Sequence, residues 1–279
     1  MLPSFVITLR EGLEASLSIG IIAAFLVREG RRDALKAMWV GVGAAVVVCI
    51  AVGAGLRIVD HELPERGQET LETVIAFVAV AMVTYMIVWM TRHARGLRGA
   101  LEHTAADAVA AGSVGALVTM AFLAVFREGF ETSVFLIAVF QQNTTPVAAS
   151  AGAVLGLVAA IAIGWGIFRG GVHLNLQRFF KITGVVLVIV AAGLVASGIH
   201  SAQELGWISG ADDGFLELGW LVHPDTWTAS LLTGILGLRA EMTAAMVLGW
   251  LLYAVPMTCY VLWPRGARSS RVPAAQPAS

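Results

Sequence analysis

Seven apolar runs recur along this chain of 279 residues, each about as long as the roughly 20 residues a helix needs to cross a hydrocarbon core of about 30 Å. They extend over Leu2 to Val27, Ala37 to Val59, Glu69 to Met90, Gly112 to Gln141, Pro146 to Phe168, Phe179 to Glu204 and Thr243 to Trp263. Hydrophobic residues make up 58% of the chain and charged ones only 13%, with a mean hydropathy of +0.81, so lipid is the expected solvent. The expected fold is an all-α polytopic membrane protein with seven transmembrane helices.

The first run is expected to stay in the membrane. It lacks a basic leader, and Arg10, Glu11 and Glu14 stand where a cleavable signal would be uncharged. Cys49 and Cys259 both fall inside apolar runs, which suggests small buried hydrophobes and neither a disulfide framework nor a metal site.

Basic residues are distributed unevenly between alternate loops. Arg28, Arg31, Arg32 and Lys36 follow the first run, Arg92, Arg95 and Arg98 the third, Arg169, Arg178 and Lys181 the fifth, and Arg265, Arg268 and Arg271 the last. That puts thirteen on one side against three, Arg57, Arg66 and Arg239, on the other. By the positive-inside rule the N-terminus is expected outside and the C-terminus in the cytoplasm, an arrangement only an odd number of spans allows. The outer loops carry carboxylates instead: Asp60, Glu62, Glu65 and Glu69 before the third run, and Asp212, Asp213, Glu217 and Asp225 before the seventh. Such a rim concentrates cations, although ordinary solvated loop charge looks the same.

The two halves share a motif. Leu9-Arg10-Glu11-Gly12-Leu13-Glu14-Ala15-Ser16 returns as Phe126-Arg127-Glu128-Gly129-Phe130-Glu131-Thr132-Ser133. Three spans separate the two copies, so the repeats must run in opposite directions across the membrane, the 3+3 inverted architecture that secondary transporters use to build a midplane site. Repeat one covers about 2–90 and repeat two about 112–204; an outer loop over 205–242, with a short interfacial or re-entrant helix expected at Leu231 to Leu238, leads to one additional C-terminal helix over 243–263. Residues 1–263 thus form the transporter domain. The tail 264–279, rich in Ala, Ser, Pro and Arg, is expected to be disordered.

The motifs are expensive where they stand. A charge at the centre of a spanning helix costs about 2.5–3.5 kcal/mol, while each large apolar residue returns about 0.3–0.6 kcal/mol. Arg10 and Glu14 are i,i+4, as are Arg127 and Glu131, so each pair can meet within its own helix. Glu11 and Glu128 lack such a partner, and the three-residue spacing puts both carboxylates of a motif on one edge of a helix. With a rise of about 1.5 Å per residue, the two edges come to a similar depth below the outer surface. Four carboxylates and two guanidinium groups leave two negative charges unbalanced, which a bound cation relieves and an ion-pair staple does not. The candidate metal site is therefore Glu11, Glu14, Glu128 and Glu131, with Arg10 and Arg127 as charge-pairing support. Carboxylate oxygens are hard donors suited to Mg, Ca, Mn or ferric iron, and the spacing does not choose among them. A di-iron oxidase would carry Glu-x-x-His motifs, which both copies lack.

These two motifs, the seven-span layout and the His200-Ser201-Ala202-Gln203-Glu204-Leu205-Gly206 stretch resemble the oxidase-dependent iron permease family of bacteria and fungi over most of the chain. The resemblance implies a permease of the cytoplasmic membrane, not an enzyme. Ferric iron, supplied by an extracytoplasmic oxidase or iron-binding partner, would move inward on the glutamates of both motifs. Iron is then substrate, with no permanently bound cofactor, and the partners are lipid and iron with no nucleic acid. Transport of another cation, such as lead or manganese, and intramembrane redox chemistry on iron are the alternatives.

Other candidates are weaker. His200 and Glu204 are i,i+4 with Gln203 beside them, an outer entry site or a helix-end hydrogen-bonding pair; the resemblance favours the first. Glu69 and Glu72 read as charges at a helix N-terminus. Met82, Met86 and Met90 read as a packing stripe, since thioethers suit Cu(I) and apolar packing is far commoner. His61-Glu62 has no second histidine at metalloprotease spacing, and His93, His103 and His173 read as interfacial residues.

Overall fold

The structure is a computed structural model that describes residues 1–93, 114–142, 146–169, 175–208, 216–217 and 241–263. Among these residues are seven long helices: α1 (Leu2–Arg28), α2 (Arg32–Glu62), α3 (Glu65–His93), α4 (Val114–Gln142), α5 (Pro146–Phe168), α6 (Leu176–Glu204) and α7 (Ala244–Leu262). Each coincides with one expected run, and α5 does so residue for residue. Helices α2 and α3 continue past their apolar runs at both ends, because helical hydrogen bonding does not stop where lipid does. The expected interfacial segment at 231–238 and the tail from 264 lie outside the described residues. Two short strands were not expected: β1 (Leu216–Glu217) pairs antiparallel with β2 (Glu241–Met242), Leu216 opposite Met242.

Five of the helices, α2, α3, α5, α6 and α7, contain stretches long and apolar enough to cross a membrane. Helices α1 and α4 have 27 and 29 residues, also enough at about 1.5 Å per residue, but these two carry the charged motifs.

Local chemistry sets the helix ends. Leu63 is extended (φ −76°, ψ 144°), as steric conflict with the Pro64 ring demands, and this separates α2 from α3. Helices α1 and α6 both close with a left-handed glycine, Gly30 (φ 72°) and Gly206 (φ 73°). The Gly30 and Arg31 amides donate to the Val27 and Leu26 carbonyls, and those of Gly206 and Trp207 to Gln203 and Ala202, the double bond of a Schellman cap.

Helix α1 lies along α5 and α2 along α4; α3 packs on α6, α6 on α7, and α1 crosses α4. Small residues permit the close approaches. Ala149, Gly152, Gly156 and Ala160 form the buried stripe of α5. A Cβ at Gly156 would overlap Thr8 Oγ1 and the Phe5 carbonyl of α1, and one at Gly152 would overlap the Met1 carbonyl. On α2, Gly41 lies against the Val118 carbonyl of α4, and Gly129 of α4 lies against Cys49.

The larger apolar cluster joins α1, α3, α4 and α6 through Ile7, Met86, Phe135 and Leu187. A second, around Leu26, Met38 and Leu117, ties the end of α1 to the beginnings of α2 and α4. Large apolar residues on α2, α5 and α7, such as Val47, Val154 and Leu252, are exposed, as lipid-facing side chains would be.

Candidate metal-ion site

Where α1 crosses α4, the two charged motifs meet. Arg10 and Glu11 are each 1% exposed, and Glu128 is also buried. Carboxylate oxygens of Glu11, Glu128 and Glu131 all lie within 4.8 Å of one another, drawn from both motifs. The matched depths expected from helical rise are therefore met in space.

The fourth carboxylate has a different position. Glu14 Oε1 is 3.2 Å from Arg10 Nε on its own helix and stands outside the three-carboxylate group. In the other motif Arg127 Nε is 3.2 Å from Glu131 Oε1 and 3.7 Å from Glu128 Oε1, so this guanidinium spans two members of the group. The motifs are alike in sequence and unlike in surroundings: the Arg10 side chain is 1% exposed and that of Arg127 is 44% exposed.

Orphaned polar atoms concentrate here. Among the described residues, ten buried side-chain nitrogens and oxygens have no hydrogen-bond partner, and seven of them belong to Arg10, Glu11, Glu14, Glu128 and Glu131. Both Glu11 oxygens and one oxygen each of Glu128 and Glu131 are in this set. Buried carboxylate oxygens without donors are costly, and the arrangement offers several hard oxygens to one small volume. A multivalent cation satisfies such a group, and imidazole or thiolate ligands play no part in it.

Two residues that reach the site escaped sequence reasoning in that role. Arg10 Nη2 donates to Met90 Sδ at 2.6 Å, and Arg127 Cζ stands 5.0 Å from the centre of the Trp89 ring. All three methionines pack as expected, Met86 and Met90 within the core and Met82 against it, and Met90 in addition meets Arg10. No local signal separates Met90 from them, because its partner is 80 positions away.

His200, Gln203 and Glu204 lie at the C-terminal end of α6, away from the carboxylate group. His200 Nε2 is 3.2 Å from Glu204 Oε1, and Gln203 Oε1 accepts from Thr243 Oγ1 at 3.2 Å, with Gln203 Nε2 buried and without a hydrogen-bond partner. Helix α3 begins at Glu65, so Glu69 and Glu72 stand beyond its first residues, where the helix dipole acts less strongly. Glu72 lines, with Gln141, Ser197 and Ser201, a cavity of about 30 Å³, room for about two waters. The side chain of His93, and the whole of His103 and His173, lie outside the described residues.

The model of the iron permease FTR1 family matches residues 1–265. A protein named ferrous iron permease EfeU from Yersinia pestis is 38% identical over 279 residues, covering 99% of both chains. Proteins of the same name from Escherichia coli O6:H1 and Shigella sonnei are 36% and 35% identical over 275 residues, each covering 97% of this chain and 99% of its own. No solved structure matches.

Proposed function

Because the chain belongs to the iron permease FTR1 family, and so is a multi-pass membrane transporter of iron rather than an enzyme, we propose that it imports iron across the cytoplasmic membrane through the carboxylates of Glu11, Glu128 and Glu131, with Glu14 held in reserve by Arg10. The observation that carries this reading is the convergence of three carboxylates from two helices, within 4.8 Å, at a place where guanidinium groups do not balance them. Arg10 and Arg127 pair with Glu14 and Glu131 four residues on and fix the orientation of those carboxylates.

The ion in transit is ferric. The relatives are named for ferrous iron, and an all-carboxylate donor set favours the harder, more highly charged ferric ion. Both agree if iron arrives reduced, an extracytoplasmic oxidase passes one electron per iron to an oxidant such as dioxygen, and the ferric ion enters directly or from an iron-binding partner. His200, Gln203 and Glu204 form an outer entry station.

All seven helices span the membrane in this reading, N-terminus outside and C-terminus inside, with α1–α3 and α4–α6 as inverted repeats and α7 added. Helix pairing supports it. Exchanging α1 with α4, α2 with α5 and α3 with α6 turns the α1–α5 contact into the α4–α2 contact and leaves α3–α6 and α1–α4 in place, so each principal contact among the first six helices has its counterpart, and the α6–α7 packing belongs to the added helix. The basic loops support the same orientation.

Purified protein in sealed vesicles tests the proposal. Radioactive iron should accumulate in the lumen, faster when ferrous iron is offered together with an oxidising partner than alone. Glu131→Gln should abolish accumulation without loss of membrane insertion. Undiminished uptake by Glu131→Gln and Glu11→Gln would overturn the site, and equal rates with and without the oxidant would overturn the ferric form.

A further inference from the structure

We propose that Trp89 and Met90 are positioning residues of the iron site, giving both guanidinium groups a neutral partner so that Glu11 and Glu128 stay open to the ion. The inference rests on the transport reading above and adds α3 to a site so far built from α1 and α4.

Helix α3 carries no Asp, Glu, Lys, Arg or His between Glu72 and Arg92. Near its C-terminal end Trp89 and Met90 are consecutive, so their side chains leave the helix about 100° apart and reach different neighbours. Met90 reaches α1, where its buried thioether accepts from Arg10 Nη2; Trp89 reaches α4, where its ring lies 5.0 Å from Arg127 Cζ. Each guanidinium is therefore held twice, by the carboxylate four residues on in its own helix and by an uncharged polarisable group from α3.

The chemistry of guanidinium explains why the second partner matters. Its five N–H donors exceed what one carboxylate can take, and the surplus turns to the nearest acceptors. Near Arg127 such an acceptor is Glu128, already 3.7 Å from Nε and a member of the three-carboxylate group. A guanidinium drawn onto Glu128 competes with the ion for the same oxygens. A third carboxylate partner would prevent this only by adding more uncompensated charge. An indole face attracts the cation through its quadrupole and adds no charge; a thioether does so more weakly. Trp89 therefore bears more of this role, since Arg127 is the guanidinium closer to the ion's ligands and the more exposed of the two.

Iron uptake into sealed vesicles, with KM and maximal rate resolved at equal amounts of inserted protein, tests this. Trp89→Leu should raise KM for iron about tenfold, and Trp89→Phe, which keeps a weaker ring, about threefold. Met90→Leu should raise it about twofold. Site-specific replacement of Trp89 by mono-, di- and trifluorotryptophan keeps ring volume nearly constant while weakening the ring face, so KM should climb with each fluorine. A packing role predicts a flat series and would overturn the proposal, as would a KM for Trp89→Phe equal to that of the unsubstituted protein. If Trp89→Leu fails to insert, the fluorinated series still decides. Absence of iron uptake by the unsubstituted protein overturns the transport reading and this inference with it; normal uptake with a flat series overturns only the role of α3.

Discussion

Arg10 and Glu14 face each other at 3.2 Å across one turn of α1, and the arginine is shielded from everything but protein. The matching pair, Arg127 and Glu131, has the same separation with the arginine nearly half exposed. Breaking a buried pair costs about 3–5 kcal/mol because the partner's charge is left uncompensated, and the more open Arg127 leaves Glu131 less enclosed when its pair is broken. Arg10→Met should therefore lower the unfolding temperature of the metal-free protein in detergent well below that of Arg127→Met, although both variants lose iron uptake. Equal unfolding temperatures for the two would show that the difference in burial has no energetic meaning.

Glu11 has both oxygens buried without hydrogen-bond partners and lies beside two other carboxylates. Glu11→Gln removes like-charge repulsion at almost constant shape, so it should raise the unfolding temperature of metal-free protein by a few degrees. It should also remove the stabilisation by iron, which for the unsubstituted protein is about 2.7 kcal/mol at an iron concentration 100 times Kd. Thermal unfolding with and without iron checks both. A variant that loses metal-free stability and keeps the iron-induced shift contradicts the assignment.

Gly156 leaves no room for a side chain against Thr8 and the Phe5 carbonyl, whereas Gly20, also within a helix, has nothing near its missing Cβ. Gly156→Val should separate α5 from α1, at a cost of about 1–3 kcal/mol, and reduce both membrane abundance and uptake. Gly20→Ala should be tolerated in both measurements. Comparable losses in the two variants would count against the close approach.

Glu204 pairs with His200 outside the carboxylate group. If these residues gather iron before it descends, Glu204→Gln should raise KM about threefold, a typical loss for one charge-assisted contact, and leave the maximal rate within about twofold. A fall in maximal rate with KM unchanged would place Glu204 in the transport step itself.

The seven helices were legible because each is built on an apolar run of about 20 residues, and α5 emerged with both ends as expected. Which helices touch was not legible. Nothing local to Gly156 names Thr8 as its neighbour; that follows from α1 lying along α5 instead of α2. The motif copies singled out carboxylates that the fold does bring together, Glu11 of α1 beside Glu128 and Glu131 of α4. Spacing, however, ranked the four carboxylates alike. Only packing separates Glu14, committed to Arg10, from the group of Glu11, Glu128 and Glu131. Trp89 and Met90 stayed hidden for the same reason, since a tryptophan and a methionine in an apolar run look like packing until the helix that bears them is set beside two arginines.

The crossing of α1 and α4 also governs how the molecule is made. The ribosome completes Arg10 117 residues before Arg127, an interval of about 6–23 s at ordinary elongation rates. Until it ends, Glu11 lacks the α4 carboxylates that later lie beside it, and the insertion cost of about 8–10 kcal/mol for Arg10, Glu11 and Glu14 taken singly largely cancels what the apolar residues of α1 return. The nascent helix is thus a poor candidate for early release into the bilayer. The helices that pack most closely on it, α4 and α5, are made only afterwards, so the order of synthesis bears on assembly.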